Sequence, residues 1–92
     1  MNPKLFDLEE KAREQMFAGE YLAAEVLLLR LLSMQEFLFG SRNRLVLRTL
    51  RSLLEVYAAE EKADEVHRIE TRIMASEDFS QIIEFETFTR DN

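Results

Sequence analysis

Arg44, Arg48, Arg51 and Glu55 fall at i, i+4, i+7 and i+11, a spacing that places all four on one stripe of an α-helix. Guanidinium groups arranged this way could clamp a carboxylate or an acidic peptide through bidentate, charge-assisted hydrogen bonds. The same pattern also describes a solvated helix face, in which Arg51 and Glu55 form an i,i+4 pair that contributes about 0.3 kcal/mol.

The other reactive residue types are poorly placed for chemistry. One histidine, His67, and no cysteine cannot make a zinc site of ordinary ligand type. The acids nearest to His67 in helical register, Asp64 and Glu70, describe a charged surface. Glu9-Glu10, Glu60-Glu61 and Asp64-Glu65 are adjacent pairs whose side chains diverge on a helix, unlike a catalytic carboxylate dyad. Ser33 and Ser41 have no base within sequence range, and the two glycines, Gly19 and Gly40, stand too far apart for a phosphate loop. The expectation is a protein that is not an enzyme, with no cofactor and no metal site.

Those side chains must be carried by helices. The chain has 92 residues, 47% of them hydrophobic, with two glycines, one proline and no cysteine. Such a composition suits one small all-α domain without a disulfide framework. Pro3 fits a first helical turn with Asn2 as its cap. Leu5, Leu8, Ala12 and Met16 then carry a helix over about 4–17, which Gly19 stops. A second helix, about 21–38, is apolar nearly all round, so its faces should be covered by the domain centre, a subunit interface or both. Gly40-Ser41-Arg42-Asn43 breaks the chain before a third helix over about 44–59, which should bury Val46, Leu47, Leu50, Leu53, Leu54 and Tyr57. A fourth, over about 63–75, puts Val66, Ile69 and Ile73 on one face; its break, Glu60-Glu61-Lys62, contains no glycine.

Residues 76–92 form a short acidic and apolar tail that reads equally as a helical cap or an extended arm. It holds five acids against one base, a charge of −4, which leaves −2 of the total −6 for residues 1–75. A nearly balanced body is unsuited to nonspecific nucleic-acid binding. The N-terminus lacks the apolar run of a secretory signal, and apolar runs such as Val26–Leu29 are far too short to span a bilayer. No nucleic acid, no membrane and a cytoplasmic location are the expectations.

The helices repeat. At an offset of 42 residues Leu5 recurs as Leu47, Leu8 as Leu50, Arg30 as Arg72 and Phe37 as Phe79. Residue character is kept at Ala24/Val66, Leu27/Ile69, Leu31/Ile73 and Leu32/Met74. A helical repeat of this length implies two stacked antiparallel hairpins. A generic antiparallel four-helix bundle satisfies the same periodicity.

Gly19-Glu20-Tyr21-Leu22-Ala23-Ala24-Glu25 resembles the turn and second-helix start of a tetratricopeptide repeat, and the 42-residue period resembles the form found in kinesin light chains. Glu36-Phe37-Leu38-Phe39-Gly40 and Val46 with Leu50, Leu53 and Leu54-Glu55-Val56-Tyr57 are similar to the end of that family's second helix and to its next first helix. The likeness covers about residues 5–75. It departs at Glu61, in place of the turn glycine, at Ala63 and Val66, in place of the aromatic and the alanine, and at Lys11 and Glu70, where apolar residues are usual. The resemblance implies a fragment of a right-handed α-α superhelix whose first helices line a peptide-binding groove. Carried over position by position, it places Arg48, Arg51 and Glu55 in that groove from the second unit, and Glu9 and Arg13 from the first.

The function expected is therefore a non-catalytic interaction module. It would bind a peptide or helix of a partner, with the arginines selecting acidic character, or its own tail. The alternative is a structural or chaperone-like subunit that covers an apolar surface of one partner or of its homodimer twin. Met16, Phe17, Leu29, Leu32, Phe37 and Phe39 exceed what two hairpins should cover, so a homo-oligomer, most simply a dimer, is expected.

Overall fold

The computed structural model describes residues 3–90, with side chains from Lys4 to Ser76. Four helices follow one another: α1 (Pro3–Phe17), α2 (Tyr21–Phe39), α3 (Arg44–Ala59) and α4 (Ala63–Arg90). There is no strand among the described residues. Each helix packs mainly on the next, and the short connections between them make neighbours antiparallel. The sequence places α1, α2 and α3 to within a residue at each end. Asn2, the expected cap of α1, lies outside the described residues.

The core is the set of residues that the helical period brings to the inner faces. Ala12, Ala24, Leu28, Leu32, Val46, Leu50, Leu53, Val56, Tyr57, Ile69 and Ile73 form one buried cluster. Ala24 has no exposed surface and Ala12 almost none, so the small side chains let α1 and α2 approach closely. α3 is the most strongly two-faced helix. It starts at Asn43, whose Oδ1 accepts a hydrogen bond from the Leu45 amide at 2.8 Å.

The two hairpin turns are the same turn. In the first, the Gly19 amide donates to the Met16 carbonyl at 3.1 Å and the Glu20 amide to the Gln15 carbonyl at 2.8 Å. In the second, the Glu61 amide donates to Ala58 at 3.1 Å and the Lys62 amide to Tyr57 at 2.9 Å. Each donor and acceptor is displaced by the period of the sequence repeat. The pattern closes a helix on a left-handed residue, and Gly19 (φ 79°) and Glu61 (φ 58°) both occupy that region. The chain therefore makes the second turn on a glutamate where the first uses a glycine.

Ion pairs tie α2 to the turn before α4 and to α4 itself. Lys62 Nζ lies 3.1 Å from Glu25 Oε1 and 3.5 Å from Glu60 Oε1, and 5.8 Å from the centre of the Tyr57 ring. The hydrogen bond to Glu25 holds the Lys62 ammonium above its ordinary 10.5. Burial pushes the Tyr57 phenol above 10.0, with help from Glu25 and Glu65. Glu60 Oε1 is buried and, among the described residues, has only the longer Lys62 contact to offset its charge. At the far end of α2, Arg72 Nη2 donates to Glu36 Oε1 at 2.6 Å.

One sequence expectation changes. α4 runs without a break to Arg90, past the expected end near residue 75. Ser76-Glu77-Asp78 reads as a possible helix start, but no glycine or proline from 63 to 90 stops the helix already under way. The acidic segment thus continues α4 in the backbone; how its side chains pack lies outside the described residues. Within the chain α2 is covered on the face toward the domain centre and open on the other. Leu22, Val26, Leu29 and Phe37 stand 66%, 54%, 43% and 89% exposed. Of the apolar excess, Leu32 is buried and Met16 half-buried, whereas Phe17, Leu29, Phe37 and Phe39 remain exposed. Among the described residues no helix is long and apolar enough to cross a membrane.

Candidate functional site

α1 and α3, the first helices of the two hairpins, face each other across a groove backed by α2. An ion-paired cluster divides it. Glu9 Oε1 lies 2.5 Å from Arg48 Nη2 and 3.1 Å from Arg13 Nη2, so one carboxylate oxygen holds a guanidinium from each helix. Arg13 sits at i+4 from Glu9 on α1, and Arg48 reaches across from α3.

A cleft lies on either side of this cluster. The larger, about 390 Å³, lies toward the C-terminal ends of α1 and α3 and includes Met16, Phe17, Tyr21, Ser52 and Glu55, with Leu28 and Leu31 of α2 at its back. The smaller, about 260 Å³, lies toward their N-terminal ends and includes Leu5, Phe6, Phe39 and Leu45. Glu9, Arg13 and Arg48 line both. Phe17 is 96% exposed at one end, and Phe6, Phe39 and Leu45 are partly open at the other. The groove thus offers apolar contact at both ends and charge in the middle.

Behind the charged cluster lies a polar pair. The Thr49 hydroxyl donates to Gln35 Oε1 at 2.6 Å, and both residues are buried. Thr49 belongs to the larger cleft and Gln35 to the smaller, so their bond joins α3 to α2 between the two. A buried polar pair fixes the register of two helices because separating it strands both groups. Neither residue stands out in isolation in the sequence. The signal lies in their phase: Gln35 continues the core stripe Ala24–Leu28–Leu31, and Thr49 sits between Val46 and Leu53 on the core stripe of α3.

Four of the six sequence-derived site residues, Glu9, Arg13, Arg48 and Glu55, line the larger cleft. Arg44 and Arg51 are exposed and line neither cleft of the groove. The stripe that unites them with Arg48 is broad, and only one edge of it turns toward α1. The two arginines that do reach the groove are bridged by Glu9 within the chain, an arrangement that the α3 stripe alone cannot reveal.

Chemically the groove combines exchangeable charge with open apolar surface. Its guanidiniums can exchange Glu9 for another acceptor, and its aromatic rings can cover apolar side chains. His67 is exposed on α4, where its carbonyl accepts from the Thr71 hydroxyl at 2.9 Å. Among the described residues no three His, Cys, Asp or Glu side chains are grouped to hold a metal ion. No protein-family model, curated protein or solved structure matches the chain.

Proposed function

We propose that this chain is a non-catalytic, tetratricopeptide-like interaction module that docks a peptide or helix of a partner protein in the groove between α1 and α3. The observation that carries the reading is the groove itself: an Arg13–Glu9–Arg48 cluster between two apolar clefts, with Phe17 at one end and Phe6 and Phe39 at the other. The repeated turn geometry supports the family likeness, because Gly19 and Glu61 close their hairpins with the same hydrogen bonds. A bound segment would place apolar side chains in the clefts and an acceptor, such as a carboxylate, against Arg13 and Arg48.

The test is selection of peptides from a displayed random library on the 92-residue protein, followed by affinity measurements on variants. Arg48→Glu removes a charge-assisted contact, so selected peptides should bind it at least about tenfold more weakly. Phe17→Ser should weaken the same peptides. Unchanged affinity for both variants would refute groove docking.

A structural subunit that covers an apolar surface is the second reading, favoured by the open outer face of α2. Charge reversal at Arg48 and Arg51 separates the two, since an apolar complex through α2 would survive it.

A further inference from the structure

The outer face of α2 carries Leu22, Val26, Leu29 and Phe37 in one line, directly opposite the core-facing Ala24, Leu28, Leu31 and Gln35. At the ordinary helical rise the line is about 22 Å long. No charged residue stands in it; Ser33 is its one polar member. The acids that flank it are already engaged within the chain, Glu25 by Lys62 and Glu36 by Arg72. Apart from Arg30, exposed at its edge, this face offers a partner nothing ionic to read, and the surface that fits it is another largely apolar helix face.

We propose that the occupant is the α2 stripe of a second copy of this chain, packed antiparallel across a two-fold axis near Leu29. The residue sizes suit that arrangement. Leu22 of one copy lies opposite Phe37 of the other, and Val26 lies opposite the small Ser33, so bulk meets bulk at the ends and the helices close in between. The four exposed side chains present roughly 500 Å² of apolar surface, at the upper end of what a monomer leaves open. Doubled across the axis and rimmed by Ala23, Arg30 and Met34, the contact reaches roughly 1,200 Å², the lower bound for a stable interface. The inference stands apart from groove docking, because the stripe shares no residue with the groove.

Charge gives it a distinctive sign. Each copy carries a net −6, so added salt screens the repulsion between copies and strengthens apolar contact. A complex held through Arg13 and Arg48 would weaken under the same change.

The test is the light-scattering mass of the full chain at about 100 µM, in low and high salt, a concentration at which a micromolar dimer is mostly assembled. The wild type should give twice 10.9 kDa, with a larger dimer fraction in high salt. Leu29→Glu and Val26→Glu should give single-copy mass with an unchanged helical spectrum. Since the chain has no cysteine, a second readout is available. Leu29→Cys should form an intermolecular disulfide rapidly under mild oxidant because the two copies meet there, whereas Ser41→Cys, far from the axis, should not. A single-copy mass for the wild type, a larger assembly, a dimer that survives Leu29→Glu, or equal cross-linking at both positions would overturn the proposal. A face used instead on lipid or on an unrelated protein would give the first of these results.

Discussion

Gly19 and Glu61 hold the same left-handed backbone at the same point of two successive hairpins, with φ of 79° and 58°. Only the first has the residue suited to it. A side chain in this region carries a steric penalty of about 1 kcal/mol, partly offset by the greater freedom of glycine in the unfolded chain. Glu61→Gly should therefore stabilise the protein by about 0.5–1 kcal/mol and raise Tm by about 3–6 °C in a thermal melt. The converse is Gly19→Ala. A β-carbon at Gly19 meets nothing within 4 Å, so its cost, about 1 kcal/mol, is backbone strain alone. Equal melting temperatures for wild type and Glu61→Gly would show that Glu61 is not strained.

The Thr49–Gln35 bond should couple α3 to α2 energetically. Thr49→Val leaves the buried Gln35 amide oxygen without its donor and should cost about 1–3 kcal/mol in denaturant unfolding. Gln35→Met combined with Thr49→Val should recover much of that loss, because no polar group is then stranded. Strictly additive losses would mean that the two side chains act independently.

Stability should fall in alkali, and the sign follows from both shifted groups at the second turn. Lys62 holds its proton more tightly folded than unfolded, so its contribution is complete below pH 10.5 and disappears as pH rises through its higher folded value. Tyr57 acts in the same direction: its neutral phenol is favoured in the folded state, a contribution complete below pH 10.0 and lost above it. Melting temperature should hold to about pH 9.5 and then decline, more shallowly in Lys62→Met and Tyr57→Phe. An identical decline in both variants would locate the alkaline sensitivity elsewhere.

Arg48 should matter more for binding than for folding. Its side chain is 58% exposed and its partner Glu9 is 27% exposed, so their ion pair is screened by water and salt. Arg48→Met should shift stability by less than about 1 kcal/mol. A larger loss in unfolding experiments would make the cluster a structural clasp rather than a recognition element.

The helices were legible because their signals are local. Gly19 and Gly40 mark two ends, and the buried residues of α3 follow one helical stripe. The turn at Glu61 was legible only through the repeat, since a glutamate does not advertise a left-handed backbone; hydrogen bonds to Ala58 and Tyr57 impose it. The length of α4 was hidden because Ser76-Glu77-Asp78 reads as the start of a new helix, although no glycine or proline from 63 to 90 stops the one under way. In the groove, the tetratricopeptide likeness brought out Glu9, Arg13, Arg48 and Glu55 together with Arg51, and neither a likeness nor periodicity on one helix says which edge of a stripe meets a neighbour. Arg44 and Arg51 therefore joined the expectation without joining the groove, and the buried Gln35 and Thr49 were passed over amid leucines.

Groove docking is tested most directly by mapping where a library-selected peptide sits, through backbone amide shifts of the labelled protein during titration. The expected result is saturable change at the α1 and α3 residues that line the clefts, among them Glu9, Arg13, Arg48 and Ser52, with little along Leu22, Val26 and Leu29. Change confined to the outer face of α2, with the α1–α3 groove undisturbed, would contradict it.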